Sequence, residues 1–260
     1  MSKHRTRKRF GQHFLSDPGV IQAIISEISP TADDVIVEIG PGPGAITRPL
    51  AARAGHLHVV VLDRDLAAAL RNEFADTPNV TVHEADALGF DLSALGPRLR
   101  VVGNLPYNIS TPLLFHLLKH RDNIVDMHFM LQKEVVDRMA ARPGSKAYGR
   151  LGIMLGCHLD VEALFDVDRT AFDPPPAVTS AIVRLMPKSN PLPIDDEALL
   201  GRIVAEAFSK RRKTLRNALK KIAVEDDLLA AGIDPAKRPE EVSVAAWTAL
   251  ANRVATQARA

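Results

Sequence analysis

The residues with the most distinctive chemical pattern are Asn104, Leu105, Pro106 and Tyr107, which follow a short apolar run. The side-chain oxygen of Asn104 and the main-chain carbonyl of Leu105 are two acceptors that could take both N–H bonds of an exocyclic amine. Pro106 fixes the turn, and the Tyr107 ring offers a surface on which a nucleobase can stack. Such a site aims the amine lone pair at a methyl donor and needs no strong base. The same residues also suit a plain β-turn with a buried aromatic ring, so their meaning depends on what surrounds them.

Three alternate glycines, Gly40, Gly42 and Gly44, stand between an apolar run and a helical segment. Their spacing differs from the G-x-G-x-x-G of dinucleotide-binding proteins, and an acid, Glu38, comes two residues earlier. A pyrophosphate disfavours a nearby carboxylate, whereas a sulfonium-bearing amino acid favours one. We therefore predict S-adenosylmethionine (SAM) as the cofactor. The alternative is a tight turn that binds nothing.

Acidic residues follow the next two apolar runs, where a cofactor of this kind needs acceptors. Asp63 comes about 20 residues after the glycines, a distance at which a carboxylate can take ribose hydroxyls. Asp86, which Ala87 follows, can accept from an adenine amino group. Asp65 is expected to cap the helix that begins after it.

Alternating strands and helices must position these motifs. The predicted strands are short apolar runs, at residues 35–39, 58–62, 80–84, 100–102, 126–131, 153–158 and 181–186. Helical segments lie near residues 45–54, 65–74 and 111–119. This alternation predicts an α/β fold with a doubly wound, mainly parallel sheet, which binds its ligand at the carboxyl ends of the strands. The last two runs are expected to add an antiparallel edge.

The pattern changes after Met186, where prolines mark a linker and only helical patterns follow from residue 195. We therefore expect a SAM-binding catalytic domain over residues 1–190 and a small all-α domain over residues 191–260. Trp247 is expected to anchor the core of the second domain.

The basic residues are concentrated in two segments, although the net charge is only +2. Residues 1–12 hold five basic residues and no acid, and residues 201–221 hold eight against one acid. We expect a single helix to present the second group outward. Concentrated cations suit a polyanion partner, and a solvated tail with a solvated helix face would explain them equally well. The candidate phosphate contacts are Arg7, Lys8, Arg9, Lys210, Arg211, Arg212, Lys213 and Arg216.

The composition is that of an ordinary globular protein, because 46% apolar and 25% charged residues exclude collagen-like and wholly disordered chains. No apolar stretch approaches the roughly 20 residues of a membrane helix. The single cysteine, Cys157, fits a reducing compartment, and we expect a cytoplasmic protein. We expect no metal site, because His116 and His120 lack a third ligand nearby. The other histidines, His128 among them, are expected at the surface.

Taken together, the motifs resemble those of the bacterial small-subunit (16S) ribosomal RNA adenine N6,N6-dimethyltransferases, the KsgA family. The resemblance covers essentially the whole chain, with long motifs at residues 7–15, 38–42, 104–112, 131–136, 145–151 and 211–217. It implies a Rossmann-like, SAM-dependent enzyme that adds two methyl groups to each of two adjacent adenines near the 3′ end of 16S rRNA. The substrate would be a maturing 30S subunit, and the helical tail would help to bind the RNA.

The resemblance also implies site residues. Its cofactor positions correspond here to His13, Leu15, Gly40, Asp86 and Asn104, and Gly42 and Ala87 complete the expected cofactor contacts. A second aromatic ring, Phe172, would stack on the extruded base opposite Tyr107.

Two positions depart from the family pattern. His13 stands where the family has Asn. The family acid that binds the ribose corresponds to Val61, which cannot accept a hydrogen bond. We expect Asp63, two residues on and on the same side of the strand, to replace it.

Three alternatives remain at this point. A methyltransferase of large-subunit rRNA, of the macrolide-resistance type, would share the glycine loop and the Asn104 motif, whereas residues 145–150 and 211–217 favour the small-subunit enzyme. A ribosome assembly factor that acts mainly by binding would keep the basic segments. An NAD-dependent enzyme would need a different glycine spacing. We expect a monomer in each case.

Overall fold

The computed structural model describes residues 13–106 and 109–257. Tyr107, Arg7, Lys8 and Arg9 lie outside the described residues, and their roles stay predictions. The chain separates into two compact units. The first comprises the described residues up to Val136 together with Glu162–Pro187, and the second comprises Asp137–Val161 and the residues from Lys188 onward.

The strands, in chain order, are β1 (Phe14–Leu15), β2 (Val35–Ile39), β3 (His56–Val61), β4 (Val80–Glu84), β5 (Leu99–Asn104), β6 (Ile124–Gln132), β7 (Leu159–Val167), β8 (Phe172–Asp173) and β9 (Ser180–Pro187). The helices are α1 (Pro18–Ile28), α2 (Thr47–Ala51), α3 (Arg64–Glu73), α4 (Ser110–Leu118), α5 (Lys133–Met139), α6 (Arg150–Gly156), α7 (Glu197–Ser209), α8 (Leu215–Leu219), α9 (Glu225–Ala230) and α10 (Val244–Gln257). None of these described helices is long and apolar enough to span a membrane.

Seven strands form one sheet in the order β4-β3-β2-β5-β6-β9-β7. The pairs from β4 to β6 are parallel, and β9 is antiparallel to β6. Strands β2 and β4 occupy the predicted residues. The doubly wound, mainly parallel sheet is therefore confirmed, and of the two runs expected to add an antiparallel edge, residues 181–186 do so within β9. β2 is almost wholly buried, as a continuous apolar run in a sheet covered on both faces should be.

One strand prediction is wrong, because residues 153–158 lie mostly in α6 and the strand β7 begins only at Leu159. A short continuous apolar run fits a buried helix as well as a buried strand, and periodicity does not separate the two. Helix α1 was not predicted. Asp17 caps it by accepting from the Val20 N–H at 3.0 Å, and Pro18 opens its first turn.

The second unit is helical around a core that includes the fully buried Trp247, as predicted. The predicted boundary near residue 190 lies close to Pro187, but the second unit also contains Asp137–Val161. Tyr148 explains this difference, because its ring is buried in the core with Trp247 and its hydroxyl donates to the Val242 carbonyl at 2.8 Å. Contacts between such distant segments leave no trace in local sequence patterns.

The expectation that one helix carries the second basic group is also wrong. α7 ends at Ser209, with Lys210 as its C-cap, and α8 begins only at Leu215, after Thr214 at the N-cap position. Four of the eight basic residues, Lys210–Lys213, therefore lie between the two helices, and Arg216 lies on α8.

Candidate functional site

The carboxyl ends of four neighbouring parallel strands meet at one cavity of about 240 Å³. Gly40 follows β2, Asp63 follows β3, Asp86 follows β4, and Asn104 ends β5. This is the place where doubly wound sheets bind ligands. The predicted residues that line the cavity are His13, Leu15, Gly40, Gly42, Asp63, Asp86, Ala87, Asn104, Leu105, Pro106 and Phe172.

The glycine loop after β2 needs glycine for two reasons. Gly40 and Gly42 have φ angles of 68° and 55°, a region that side chains disfavour. A Cβ atom on Gly42 would also lie 2.9 Å from the Phe14 ring. The main chain of this loop therefore lines the cavity without side chains in the way.

Residues 13–17, here called the N-terminal strap, pair with the short strand that carries Phe172. Leu15 lies opposite Phe172 in this antiparallel pair, and the Ser16 N–H donates to the Ala171 carbonyl at 2.8 Å. The strap and the predicted base-stacking ring are thus held together by main-chain hydrogen bonds.

Two further hydrogen bonds join the strap to Asn104 and to the loop after β8. Nδ2 of Asn104 donates to the His13 carbonyl at 3.2 Å, and Nδ1 of His13 donates to the Pro174 carbonyl at 2.8 Å. A carbonyl can only accept, so the amide nitrogen of Asn104 faces the strap. Its Oδ1 is then the end left to receive a donor. The Leu105 N–H donates to Met130 on β6 at 3.2 Å, which fixes the start of the turn.

Asp63 has a structural task as well as a place in the cavity. Its Oδ1 accepts from the N–H groups of Asp65 and Leu66 at 2.9 and 3.1 Å, so Asp63 is the N-cap of α3. The predicted cap, Asp65, lies inside the first turn instead, because the N-cap is two residues earlier and the helix begins at Arg64.

Two apolar residues precede Asp63 in the cavity wall. Val61 is buried, and Leu62 is 60% exposed, which leaves an apolar surface beside the acid. On the next strand, Oδ1 of Asp86 accepts from the Leu88 N–H at 2.9 Å, which fixes the turn after β4.

Glu38, the acid whose position favoured SAM over a pyrophosphate, also lines the cavity, although it was not among the predicted cofactor contacts. It is 1% exposed on β2, and burial raises its pKa to about 7, against the opposing effects of the Thr47 hydroxyl and the Arg48 charge. The available signal was its position, since residues two apart on a strand face the same side and Gly40 follows by two.

These residues fit SAM. The main chain of the glycine loop is accessible from the cavity. The acids that follow β3 and β4 offer acceptors for hydroxyl and amino groups, and Leu62 offers an apolar surface. A buried carboxyl oxygen of Glu38 has no hydrogen-bond partner within the described residues, as expected of a cavity built for a cationic ligand.

The basic residues of the second unit differ in their contacts. Lys210 pairs with Glu206, and Arg216 pairs with Glu225 at 2.7 Å. Arg211 binds Glu240 and the Lys146 carbonyl, both at 2.9 Å. Arg212 and Lys213 are exposed, and neither makes a side-chain hydrogen bond or ion pair within the described residues. Of the five phosphate contacts predicted in the second unit, three are thus paired with acids and two are unpaired within the described residues.

A model of the family described as "Ribosomal RNA adenine dimethylase" matches residues 3–256. The chain belongs to this family. The dimethylases are SAM-dependent methyltransferases, so the predictions of a methyltransferase, of SAM and of an rRNA-modifying enzyme are confirmed. Membership also decides against the NAD-dependent alternative.

Relatives of this dimethylase match it from end to end. "Ribosomal RNA small subunit methyltransferase A" of Thiobacillus denitrificans is 56% identical over 98% of this chain and 100% of its own length. The protein of the same description from Pseudomonas putida is 53% identical over 99% of this chain and 98% of its own length.

Two crystal structures share the fold of the dimethylase. The dimethyladenosine transferase from Plasmodium falciparum is 26% identical with a TM-score of 0.80, and covers 95% of this chain and 98% of its own. The 23S rRNA methyltransferase ErmE is 27% identical with a TM-score of 0.74, and covers 93% of this chain and 99% of its own. The predicted Rossmann-like fold is thus confirmed.

Proposed function

We propose that this dimethylase transfers methyl groups from SAM to N6 of two adjacent adenines near the 3′ end of 16S rRNA. The substrate is the maturing 30S subunit, and the product is N6,N6-dimethyladenosine. The observation that carries the chemistry is the hydrogen bond from Asn104 to the strap, which leaves the amide oxygen available at the cofactor cavity. The small subunit is favoured by 56% identity to a protein described as acting on it, against 27% to a 23S rRNA methyltransferase.

The residues act by orienting the amine. Asn104 Oδ1 and the Leu105 carbonyl each accept one N–H of the adenine N6, which makes the nitrogen tetrahedral and frees its lone pair. Phe172, which lines the cavity, stacks on the extruded base. Tyr107, which the sequence predicts for the same task, stacks on its other face. SAM supplies an electrophilic methyl group when bound. The amine proton leaves after transfer, so alignment and electrostatics supply most of the rate.

The cofactor contacts are proposed at both ends of the cavity. Asp63 and Asp86 would accept from the ribose and adenine groups, with Ala87 beside them. His13, Leu15, Gly40, Gly42 and Asn104 would hold the amino-acid part. The support is that all eight residues line one cavity.

The RNA contacts are proposed on the basic segments, Arg7, Lys8 and Arg9 in the first and residues 210–216 in the second. Arg212 and Lys213 are the strongest of these, because within the described residues their charges are not shared with an acid. We further propose that the protein acts as a monomer in the cytoplasm, where small subunits mature.

A second candidate is methylation of 23S rRNA, which is favoured by the similarity to ErmE over 93% of this chain. A third is an assembly factor that acts mainly by binding. Each of these candidates predicts a different result from the first proposal when methyl transfer to the two ribosomal subunits is measured.

The test offers SAM with a labelled methyl group, unmethylated 30S subunits and unmethylated 50S subunits, and identifies modified nucleosides by mass spectrometry. We expect dimethyladenosine at two neighbouring sites of 16S rRNA, and none with Asn104→Ala. Transfer to 50S subunits alone would establish the second candidate. Binding to 30S subunits without transfer would establish the third and make Val61 the first residue to examine.

A further inference from the structure

Three histidines, here called the histidine cluster, lie on one face of the two outermost strands on one side of the sheet. His56 and His58 are two residues apart on β3, and His83 lies on the neighbouring β4. Leu57 and Val82, which alternate with them, pack into the apolar cluster on the opposite face. Because residues two apart on a strand face the same side, the fold brings the three imidazoles to one place.

The rings of the histidine cluster lie against one another. The ring centroids of His56 and His58 are 4.4 Å apart, and those of His58 and His83 are 5.2 Å apart. The Phe90 ring lies beside His83, with 5.1 Å between the centroids. All three histidines are half-buried. The cluster is therefore packed together and still within reach of an ion from solvent.

Two nitrogen atoms of the histidine cluster have the separation of two ligands of one metal ion. Nδ1 of His58 and Nε2 of His83 are 3.1 Å apart. An imidazole nitrogen binds Zn²⁺ at about 2.0–2.1 Å, so two nitrogens on one ion, at bond angles between about 90° and 110°, lie about 2.9–3.4 Å apart. The observed distance lies in this range. The pair thus suits a shared ion as well as the hydrogen bond that joins the two rings.

The protonation state of these rings is that of metal ligands, which need a nitrogen without hydrogen. Burial lowers the pKa of His58 to about 4 and also lowers the pKa of His83, and the charge of His56 acts in the same direction on both. Arg71 also lowers the pKa of His83, and it is paired with Glu84 at 3.1 Å. The hydrogen between the two facing nitrogens can move to the other nitrogen of its ring, so an ion can take its place without net proton release.

His56 can supply a third nitrogen after its side chain turns. Its Nε2 atom is hydrogen-bonded to the Thr81 hydroxyl at 3.0 Å, and Thr81 lies opposite His58 in the strand pair. Within the part of the chain that the structure describes, no three ligand groups already converge on one point. The ion must therefore draw His56 away from Thr81, and water completes a tetrahedral set of four ligands.

We propose that the histidine cluster is a binding site for a divalent transition-metal cation, and that Zn²⁺ is the ion that three imidazoles and one water suit best. No residue of the cluster lines the cofactor cavity, so the site is separate from that of SAM. The sequence led us to expect no metal site on the basis of His116 and His120, which lie on and after α4. An ion held by the cluster cross-links β3 and β4 at the edge of the sheet.

Isothermal titration calorimetry tests the proposal without SAM or RNA, so its outcome is independent of the proposed function. The full chain, without an added histidine tag, is treated with a chelator, dialysed and titrated with Zn²⁺ or Mg²⁺. We expect the wild type to bind one equivalent of Zn²⁺ with a dissociation constant in the micromolar range. Mg²⁺ should not bind, because it prefers oxygen ligands.

Variants locate the bound ion. His58→Gln and His83→Gln each remove one of the two facing nitrogens, and each should weaken Zn²⁺ binding by at least about tenfold, the smallest effect expected even for a residue that only supports a ligand. The double variant His116→Gln with His120→Gln is the matched control, because these rings form another close pair, with 5.0 Å between their centroids. It should bind Zn²⁺ as the wild type does.

Chemical modification gives an independent reading on the wild-type protein, in case a variant does not fold. Diethylpyrocarbonate modifies accessible imidazole nitrogens, and peptide mass spectrometry locates each product. Zn²⁺ should protect His56, His58 and His83 and leave the modification of His116 unchanged. Zn²⁺ binding only in the millimolar range, full affinity in His58→Gln and His83→Gln, loss of binding in the control, or no protection of the cluster would each overturn the proposal.

Discussion

The side-chain amide of Asn104 donates to the main-chain carbonyl of His13 at 3.2 Å, although 91 residues separate them in the chain. This bond orients the amide, because its nitrogen must face the carbonyl and its oxygen must face away. The same residue, His13, donates from its side chain to Pro174, two residues after Phe172. One strap residue therefore links the side-chain amide of Asn104 to the loop that follows Phe172, the predicted base-stacking ring.

Asn104→Asp tests this orientation. The substitution keeps an acceptor and replaces the donor with an oxygen that faces the His13 carbonyl, so the side chain must turn away. We expect the single-turnover rate of methyl transfer to fall by about 100-fold, the effect of a misplacement near 1 Å. Rates are measured at saturating SAM and RNA, with thermal unfolding as the control. A rate close to that of the wild type would remove the orienting role of the bond.

Gly42→Ala tests the contact between the glycine loop and the strap. The new Cβ would lie 2.9 Å from the Phe14 ring at a φ of 55°, so the strap must shift. We expect the dissociation constant for SAM, measured by calorimetry, to rise about 5- to 30-fold, because the free loop can relax the roughly 1–2 kcal/mol of left-handed strain that the SAM-binding conformation imposes on an alanine. Gly89→Ala is the matched control, because its Cβ meets nothing within 4 Å. Equal affinities for the two variants would contradict the prediction.

The sequence was sufficient for the strand-end positions of Gly40, Asp63, Asp86 and Asn104. Gly40, Asp63 and Asn104 follow or end mostly buried strands, Asp86 follows the half-buried β4, and parallel topology brings the ends of such strands to one edge. The signal is local in every case, so it can be read from a few consecutive residues.

The strap could not be predicted in the same way. Its strand has only two residues, and its partner lies far along the chain, as does Pro174, 161 residues after His13. The burial of His128 was likewise unpredictable, because it depends on which elements pack over its strand. His128, expected at the surface, is 3% exposed.

Asp63 has an observed role, the N-cap of α3, and a proposed one, the binding of SAM, which substitutions can separate. Asp63→Ala removes both the cap and the carboxylate, and we expect it to lower the free energy of unfolding by about 1 kcal/mol and to weaken SAM binding. Asp63→Ser keeps a good N-cap and loses only the charge. It should unfold like the wild type in urea and bind SAM as weakly as Asp63→Ala. If Asp63→Ser binds SAM like the wild type, Asp63 does not replace the ribose acid missing at Val61.

His128 should make the protein less stable in mild acid. Burial lowers its pKa to about 4 from an ordinary 6.5, with Arg100 and Arg184 acting in the same direction and Asp126 opposing. The unfolded chain therefore binds the proton first, so stability is complete above pH 6.5 and is lost as the pH falls towards 4. The full loss is about 3 kcal/mol as an order of magnitude.

His128→Leu should remove this pH dependence. Neither ring nitrogen has a hydrogen-bond partner in the described part of the chain, so an apolar side chain of similar size leaves no bond broken. We expect urea unfolding curves at pH 5 to show a more stable variant, with little difference at pH 7.5. A variant less stable at both values would mean that the imidazole contributes more than its burial suggests.

Substitutions of the unpaired cations of the second unit should weaken RNA binding, whereas substitution of a paired cation should lower stability. Arg212→Ala and Lys213→Ala remove charges that no acid of the described residues neutralises, so each should weaken RNA binding and reduce the slope of log Kd against log salt by about one. Neither should change the free energy of unfolding.

Arg211→Ala removes the bonds to Glu240 and the Lys146 carbonyl, and we expect it to lower the free energy of unfolding by about 1 kcal/mol. Filter binding to 16S rRNA over a range of salt, with urea unfolding of each variant, separates the two classes. Equal salt slopes for wild type and Arg212→Ala would place the phosphate contacts elsewhere on the chain.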